Sequence, residues 1–188
     1  MAVRAASCSG VTCAAYGYAM GTRLFPRDLN ELYAHALAVE REATKRFAEL
    51  ERYARAAGMD HIADEFESIG KEEREQYELL AVGTAGRELP KVSPWEYAPH
   101  FLGPEADVVR APRSVREALA LAIAIERRTQ TFYVDVAEHT TDDTMCAFAA
   151  EMAADEGRHI ARLERLLARE PDPAAAVGGS GDVLPLKP

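Results

Sequence analysis

Along four stretches of the chain, apolar residues recur at steps of three and four, which is the period of a helix that buries one face. The first two stretches carry the stripes Leu29, Ala36, Glu40, Ala43, Phe47, Leu50 and Ile62, Phe66, Ile69, Glu73, Gln76, Leu80. The last two carry Leu119, Ala122, Glu126, Thr129, Tyr133, Val136 and Phe148, Met152, Glu156, His159, Leu163, Leu166. The pattern predicts four amphipathic helices, each with polar residues inside its apolar stripe.

Local sequence indicates where these helices begin and how they are joined. Asp28-x-x-Glu31 and Ser114-x-x-Glu117 are capping boxes, which predict the starts of the first and third helices. Gly58 predicts a tight turn between the first and second helices, and His139-Thr140 predicts a short turn between the third and fourth. Because short turns join antiparallel neighbours, the chain is expected to form two helical hairpins.

The segment 84–112 contains five prolines together with Trp95, Tyr97 and Phe101. The prolines exclude a long helix, and the aromatic residues predict an ordered crossover that packs on the bundle. The chain is therefore divided into an N-terminal extension (1–27), a four-helix bundle (28–169) and a C-terminal tail (170–188). Both ends are expected to be disordered because they contain few core-forming residues.

Composition narrows the function classes. A net charge of −9 over 188 residues argues against a nucleic-acid partner, which would favour a basic surface. The three cysteines form no Cys-x-x-Cys pair, which excludes an appended four-cysteine iron or zinc module. No apolar run is long enough for a membrane span, and the first residues lack the apolar core of a signal peptide, so a cytoplasmic location is expected, with Met20 as an alternative start.

The polar residues within the stripes follow an internal repeat. Ala38-Val-Glu-Arg resembles Ala124-Ile-Glu-Arg, which aligns Glu40 with Glu126. The second helix of one hairpin then carries Glu73-x-x-Gln76, where that of the other carries Glu156-x-x-His159. Burying such groups costs several kcal/mol unless something compensates the charge.

The helical rise predicts that these carboxylates meet at one level of the bundle. Glu126 and Glu156 lie at similar distances from their shared turn, whereas Glu40 and Glu73 are offset by roughly 6 Å. Four buried carboxylates at one level repel one another, because like charges in a medium of low dielectric constant cannot all stay ionised. A pair of divalent cations would remove that conflict.

One Glu from each of two helices, with Glu-x-x-His from the others, is the arrangement of ferritin-like di-iron carboxylate proteins. The chain resembles them over residues 28–169, and is most similar to rubrerythrins and bacterioferritins. The resemblance implies an all-α, ferritin-like four-helix bundle made of two antiparallel helical hairpins joined by a long Pro- and aromatic-rich crossover. It also implies two iron ions, or iron with manganese. The implied ligands are Glu40, Glu73, Glu126, Glu156 and His159, with Glu73 and Glu156 bridging the metals.

The sequence departs from the family pattern at three points. Gln76 replaces the usual second histidine, and is a weak ligand, an outer hydrogen-bonding residue or a buried amide. Thr129 stands where rubrerythrins carry a further carboxylate, and no rubredoxin-like four-cysteine domain is present. Tyr133 and Tyr33 lie seven residues from a proposed ligand, and either orient a carboxylate or fill the core. The remaining histidines (His35, His61, His100, His139) and Glu31 are expected at the surface or in loops.

The resemblance implies an oxidoreductase that acts on peroxide or oxygen, or a ferroxidase, with an external electron donor and no catalytic residue beyond the metal ligands. Two alternatives stay open: iron handling without catalytic turnover, and a metal-depleted helical interaction module. A homodimer or higher homo-oligomer is expected in each case.

Overall fold

The structure, a computed structural model, describes residues 25–92 and 112–171. Within these ranges the chain forms four helices: α1 (Leu29–Ala56), α2 (Asp60–Gly83), α3 (Val115–His139) and α4 (Asp143–Leu167). None of these helices is long and apolar enough to cross a membrane. The predicted all-α class and two-hairpin arrangement are confirmed.

Side-chain caps and one glycine set the ends of the helices. The Asp28 side chain accepts a hydrogen bond from the Glu31 N–H, and the Ser114 side chain accepts one from the Glu117 N–H, as the two sequence boxes predict. Gly58 has φ 72°, a left-handed conformation that favours glycine, and it lies in the turn between α1 and α2. The turns therefore return the chain on itself twice, and α1 pairs with α2 as α3 pairs with α4.

The apolar core is divided into two clusters along the bundle axis. One cluster, which we call the lower cluster, includes one residue from each helix, and these are Phe47, Phe66, Leu119 and Leu163. The upper cluster is formed by side chains that include Leu32, Phe132, Tyr133 and Met152. On every helix the stripe carboxylate lies between the residues that enter the two clusters, so the acidic level separates them.

Two residues expected at the surface are buried instead. Glu31 is 3% exposed and accepts a hydrogen bond from the Arg27 N–H at 2.8 Å, besides an ion pair with the Arg27 guanidinium. His35 is 1% exposed and packs against Phe132 of α3, with ring centroids 4.3 Å apart. The buried face of α1 is wider here than its apolar stripe, because α3 covers it as well as α2.

Several predictions concern residues outside the described ranges. They include the disorder of most of the N-terminal extension and of the tail, the packing of the aromatic crossover residues, and the position of His100. The boundaries 1–27, 28–169 and 170–188 stay predictions.

Candidate metal centre

Each helix places one glutamate in the interior of the bundle. Glu40 of α1, Glu73 of α2, Glu126 of α3 and Glu156 of α4 are all at most 3% exposed. Each has a buried residue three or four positions before it, so helix periodicity turns each carboxylate inward. The four side chains therefore meet where the apolar core is interrupted.

Three of these carboxylates surround one imidazole. Ligand atoms of Glu73, Glu126, Glu156 and His159 all lie within 4.8 Å of one another. His159 Nδ1 is 2.8 Å from Glu73 Oε1, 3.5 Å from Glu126 Oε2 and 3.8 Å from Glu156 Oε2. The predicted Glu-x-x-His pair of α4 thus faces carboxylates from both α2 and α3.

Glu40 completes the group from α1. The Tyr133 hydroxyl donates a hydrogen bond to Glu40 Oε1 at 3.3 Å. The charge of Glu73 acts on the Glu40 carboxyl, so the two groups lie near each other despite the offset of roughly 6 Å expected from residue counting. Tyr133 is fully buried and fills the core, and its action on a ligand stays a prediction.

Burial and mutual repulsion perturb the acidities of the cluster. Burial, followed by the charge of Glu73, raises the pKa of Glu40 well above its ordinary value. Burial and the charges of Glu126 and Glu73 do the same to the pKa of Glu156. The pKa of Glu126 is raised by burial, with hydrogen bonds from Glu156 and His159 opposing the shift. Without a cation, folding therefore favours protonated carboxyls here.

The pKa of His159 is shifted in the direction opposite to the one that burial alone would produce. Desolvation alone would lower the pKa of the imidazole, but the carboxylates of Glu126, Glu156 and Glu73 close to Nδ1 outweigh it and raise the pKa to about 12. In the absence of a metal, the imidazolium is therefore the positive charge that partly balances the carboxylates. A metal ion would take over that role and release the proton, since a ligating histidine must be neutral.

Glu72 supports His159 from outside the cluster. His159 Nε2 lies 3.2 Å from Glu72 Oε2, while Arg162 Nη1 donates to both oxygens of Glu72 at 2.7 and 2.8 Å. Although burial opposes it, the bond and charge of Arg162 lower the pKa of Glu72, which keeps this carboxylate ionised. A carboxylate on the second ring nitrogen fixes the tautomer and orientation of a ligating histidine. Sequence reasoning missed Glu72; its position beside Glu73 was the available signal.

Gln76 turns its amide nitrogen toward α4. Gln76 Nε2 donates to Met152 Sδ at 2.9 Å and to Asp155 Oδ2 at 3.1 Å. The side chain is half-buried and links α2 to α4 one turn from Glu73. These contacts are those of an outer hydrogen-bonding residue, and a ligand role for Gln76 stays a prediction.

The other two positions singled out from the sequence lie outside the carboxylate contacts. Thr129 is buried and donates its hydroxyl hydrogen to the Ile125 carbonyl oxygen, 3.3 Å away on its own helix. The Tyr33 ring packs edge-on against Phe148 with ring centroids 5.0 Å apart, and the Arg87 guanidinium carbon lies over the Tyr33 ring, 5.4 Å from its centroid. These contacts of Tyr33 fit a packing role, and its predicted action on a ligand stays a prediction.

A groove of about 500 Å³ runs between α2 and α4 and reaches His159. We refer to it as the α2–α4 groove. Its lining includes Gln76 and Met152 beside acidic residues of both helices, and these are Glu72, Glu75, Glu151 and Asp155. The α2–α4 groove thus joins the edge of the carboxylate cluster to the surface.

The donor atoms fit a metal. Two carboxylate oxygens, Glu40 Oε2 and Glu126 Oε2, are buried and accept no hydrogen bond. His159 Nδ1 is also buried, and no acceptor lies in hydrogen-bonding geometry with it. Buried oxygens of this kind are costly unless a cation neutralises them. Carboxylates with one imidazole suit divalent iron or manganese better than soft metals, which favour sulfur. The cluster can therefore hold divalent metal.

Comparison with known proteins agrees with the four-helix fold and with the position of the carboxylate cluster. The rubrerythrin family model matches residues 31–167, which span all four helices and every carboxylate of the cluster. An uncharacterized conserved protein of Magnetospirillum magnetotacticum MS-1 is similar in structure, with a TM-score of 0.70 and 26% identity over 78% of this chain and 97% of that one. No protein with a curated description matches the chain. On the family match and the shared fold, the chain belongs to the rubrerythrin family of ferritin-like proteins.

Proposed function

We propose that the protein is a di-iron oxidoreductase that reduces hydrogen peroxide or oxygen with electrons from an external one-electron carrier. The observation that carries the proposal is the buried group of Glu73, Glu126, Glu156 and His159, with ligand atoms within 4.8 Å. Glu40 adds a fourth carboxylate, so the donors are sufficient for more than one cation. The match to the rubrerythrin family supports iron as the metal.

In this proposal the protein side chains hold the metals and control protons. Glu40, Glu73, Glu126 and Glu156 would supply the oxygen ligands, and His159 would bind through Nδ1 because Nε2 faces Glu72. When bound, two ferrous ions would supply the two electrons that convert peroxide and two protons into two waters, and the carrier would then restore them. Metal binding would displace the protons that the raised pKa values of Glu40 and Glu156 favour in the metal-free protein, because a ligating carboxyl must be ionised.

Tyr133 has a supporting role in the same proposal. Burial and the charges of Glu40, Glu156 and Glu73 raise the pKa of Tyr133 well above its usual value, so the phenol stays protonated. A protonated phenol can only donate to the Glu40 carboxylate, and it therefore holds that ligand in one orientation.

A second candidate function is iron handling, in which ferrous iron is oxidised once and retained or passed on. The α2–α4 groove favours it, because a groove that reaches His159 offers a metal ion a path in and out. The two functions differ in turnover: an enzyme consumes many peroxide molecules per chain when a reductant is added. A handling protein stops after one stoichiometric oxidation.

The experiment combines metal content with turnover. Metal-free protein is titrated anaerobically with Fe(II), in the wild type and in Glu156→Ala, and peroxide consumption is then followed with an added one-electron reductant. We expect two irons per chain in the wild type and a loss of at least one in Glu156→Ala. Well under one iron per wild-type chain would refute the proposal, and a single stoichiometric oxidation would favour iron handling.

A further inference from the structure

We propose that the α2–α4 groove is the route by which divalent cations reach the carboxylate cluster, with Glu151 and Asp155 as the groups that draw the ion inward. The inference rests on the proposed metal centre and adds how that centre is loaded. It concerns residues that are not proposed as ligands.

The α2–α4 groove is continuous with the candidate site. His159 lines it and is only 4% exposed, and the other edge of the same ring, Nδ1, faces the three nearest carboxylates. Contact between α2 and α4 is slight compared with that inside each hairpin, and side chains close this seam between the cluster and the groove. Among the residues of the carboxylate cluster, His159 is the first that an ion entering here would meet.

The acidic residues of α4 form a line that leads inward. Glu151, Asp155 and His159 follow one another at steps of four, so they lie on one face of the helix at intervals of roughly 6 Å. Glu151 is exposed at the outer end, Asp155 is half-buried, and His159 is buried. A cation would therefore meet two oxygen donors, Glu151 and then Asp155, before it reaches His159.

The charge of the groove selects cations over anions. Its lining holds four carboxylates, of which Glu72 is paired with Arg162, Glu75 lies 3.7 Å from Lys71, and Asp155 is paired with Arg158. Glu151 has no salt-bridge partner within the described part of the chain. Although Arg158 and His159 also line the groove, the carboxylate of Glu151 at its exposed end attracts a divalent cation and repels phosphate-like anions.

Gln76 is the barrier that such an ion must displace. Its amide nitrogen spans the seam from α2 to Met152 Sδ at 2.9 Å and Asp155 Oδ2 at 3.1 Å. While this bridge is in place, one oxygen of Asp155 is occupied by a donor. Rotation of the Gln76 side chain would free that oxygen for the ion and open the groove toward Glu73, one helical turn away.

The test measures the rate of loading and the capacity separately. Cobalt(II) is mixed with the full-length chain, freed of metal by a chelator, and its absorption bands are followed by stopped flow. The double variant Glu151→Gln with Asp155→Asn is compared with Glu49→Gln with Glu138→Gln, which changes net charge equally at exposed sites outside the groove. Asn at 155 keeps an oxygen for the Gln76 amide, and equal melting temperatures check the fold.

We expect the groove variant to load on the order of tenfold more slowly and with a weaker salt dependence than the control variant. Both should reach the cobalt stoichiometry of the wild type. Gln76→Ala should load faster than the wild type, because the barrier is gone.

Two outcomes would overturn the route while the metal centre stands. One is a groove variant that loads at the rate of the control variant, and the other is a groove variant with a lower final stoichiometry, which would make Glu151 or Asp155 a ligand. A wild type that takes up no cobalt would instead overturn the proposed function and the route together.

Discussion

Replacing Glu156 by Gln should have opposite effects on the metal-free and metal-loaded protein. Gln has nearly the same shape, so the substitution opens no cavity at this buried position, and it removes one negative charge. In the metal-free protein that charge is unfavourable, because burial and the charges of Glu126 and Glu73 raise its pKa well above the ordinary value of 4.5. We therefore expect metal-free Glu156→Gln to be more stable than metal-free wild type.

The cluster geometry sets the size of this effect. At the 4.8 Å that bounds the ligand atoms, two ionised carboxylates repel by about 3.5 kcal/mol at an effective dielectric constant of 20. Glu156 is repelled by two such neighbours, Glu126 and Glu73, and is attracted by the His159 imidazolium at 3.8 Å by about 4 kcal/mol. The net repulsion of about 3 kcal/mol is worked at the largest separation in the cluster, and it falls when a carboxyl takes up a proton.

Metal should reverse the order of stabilities. A ligand that binds only the folded state at a hundred times its Kd adds about 2.7 kcal/mol to the free energy of unfolding. For a domain of this size that corresponds to roughly 5–10 °C in Tm. The variant has lost a carboxylate ligand, so its Tm should rise far less.

The pH dependence provides a second check on the same cluster. The pKa values of Glu40, Glu126 and Glu156 are raised on folding, so the folded protein binds protons that the unfolded chain releases above about pH 4.5. The pKa of His159 is raised from 6.5 to about 12, so the folded protein keeps a proton that the unfolded chain releases above about pH 6.5, and this contribution to stability falls as pH rises from there. Both shifts make metal-free wild type less stable as pH increases, and Glu156→Gln should flatten the dependence.

The assay is thermal unfolding followed by circular dichroism, on chelator-treated full-length protein between pH 5 and 8, with and without Fe(II) under anaerobic conditions. Glu138→Gln, an exposed glutamate of α3, is the matched control. The reasoning is refuted if metal-free Glu156→Gln melts below metal-free wild type. It is equally refuted if iron shifts both proteins by the same amount, and no shift in either would favour the interaction module.

Three further predictions follow from single contacts. Glu72→Gln should weaken metal affinity about 10- to 100-fold, measured by competition with a chelator, because it removes the carboxylate that orients the imidazole, whereas Glu75→Gln should leave affinity unchanged. Gln76→His should raise the affinity for the more weakly bound iron in an anaerobic titration, and equal titration curves would contradict a second-site role for this position. Gly70→Ala should lower the free energy of unfolding by about 1–3 kcal/mol in urea denaturation, because the new Cβ would lie 3.0 Å from Phe47 Cβ.

The periodicity of the chain was sufficient to predict the fold, because helix formation and burial of one face depend on neighbours three and four residues apart. Capping residues such as Asp28 and Ser114 act within a single turn, and so the starts of α1 and α3 were correct from the sequence. The same periodicity placed the four stripe glutamates, since an internal charge in an apolar line must be turned inward with it.

Side-chain partners across helices required the tertiary structure. The sequence placed Glu72 one residue from a predicted ligand, but its contact with His159 joins α2 to α4 and depends on how the two hairpins are packed. The same holds for Gln76, for which the sequence left three roles open and the structure shows an amide bonded to α4. Burial of His35 was missed because α3 covers a part of α1 outside its apolar stripe.

The sequence by itself therefore determined the helices, their pairing into hairpins and the level at which four carboxylates meet, since each follows from spacing along the chain. Only the tertiary structure decided which imidazole nitrogen faces the carboxylates, which glutamate supports it from behind and where a groove reaches the site. The physical reason is that these features depend on the relative rotation and separation of α2 and α4, helices that touch only lightly and are far apart in sequence.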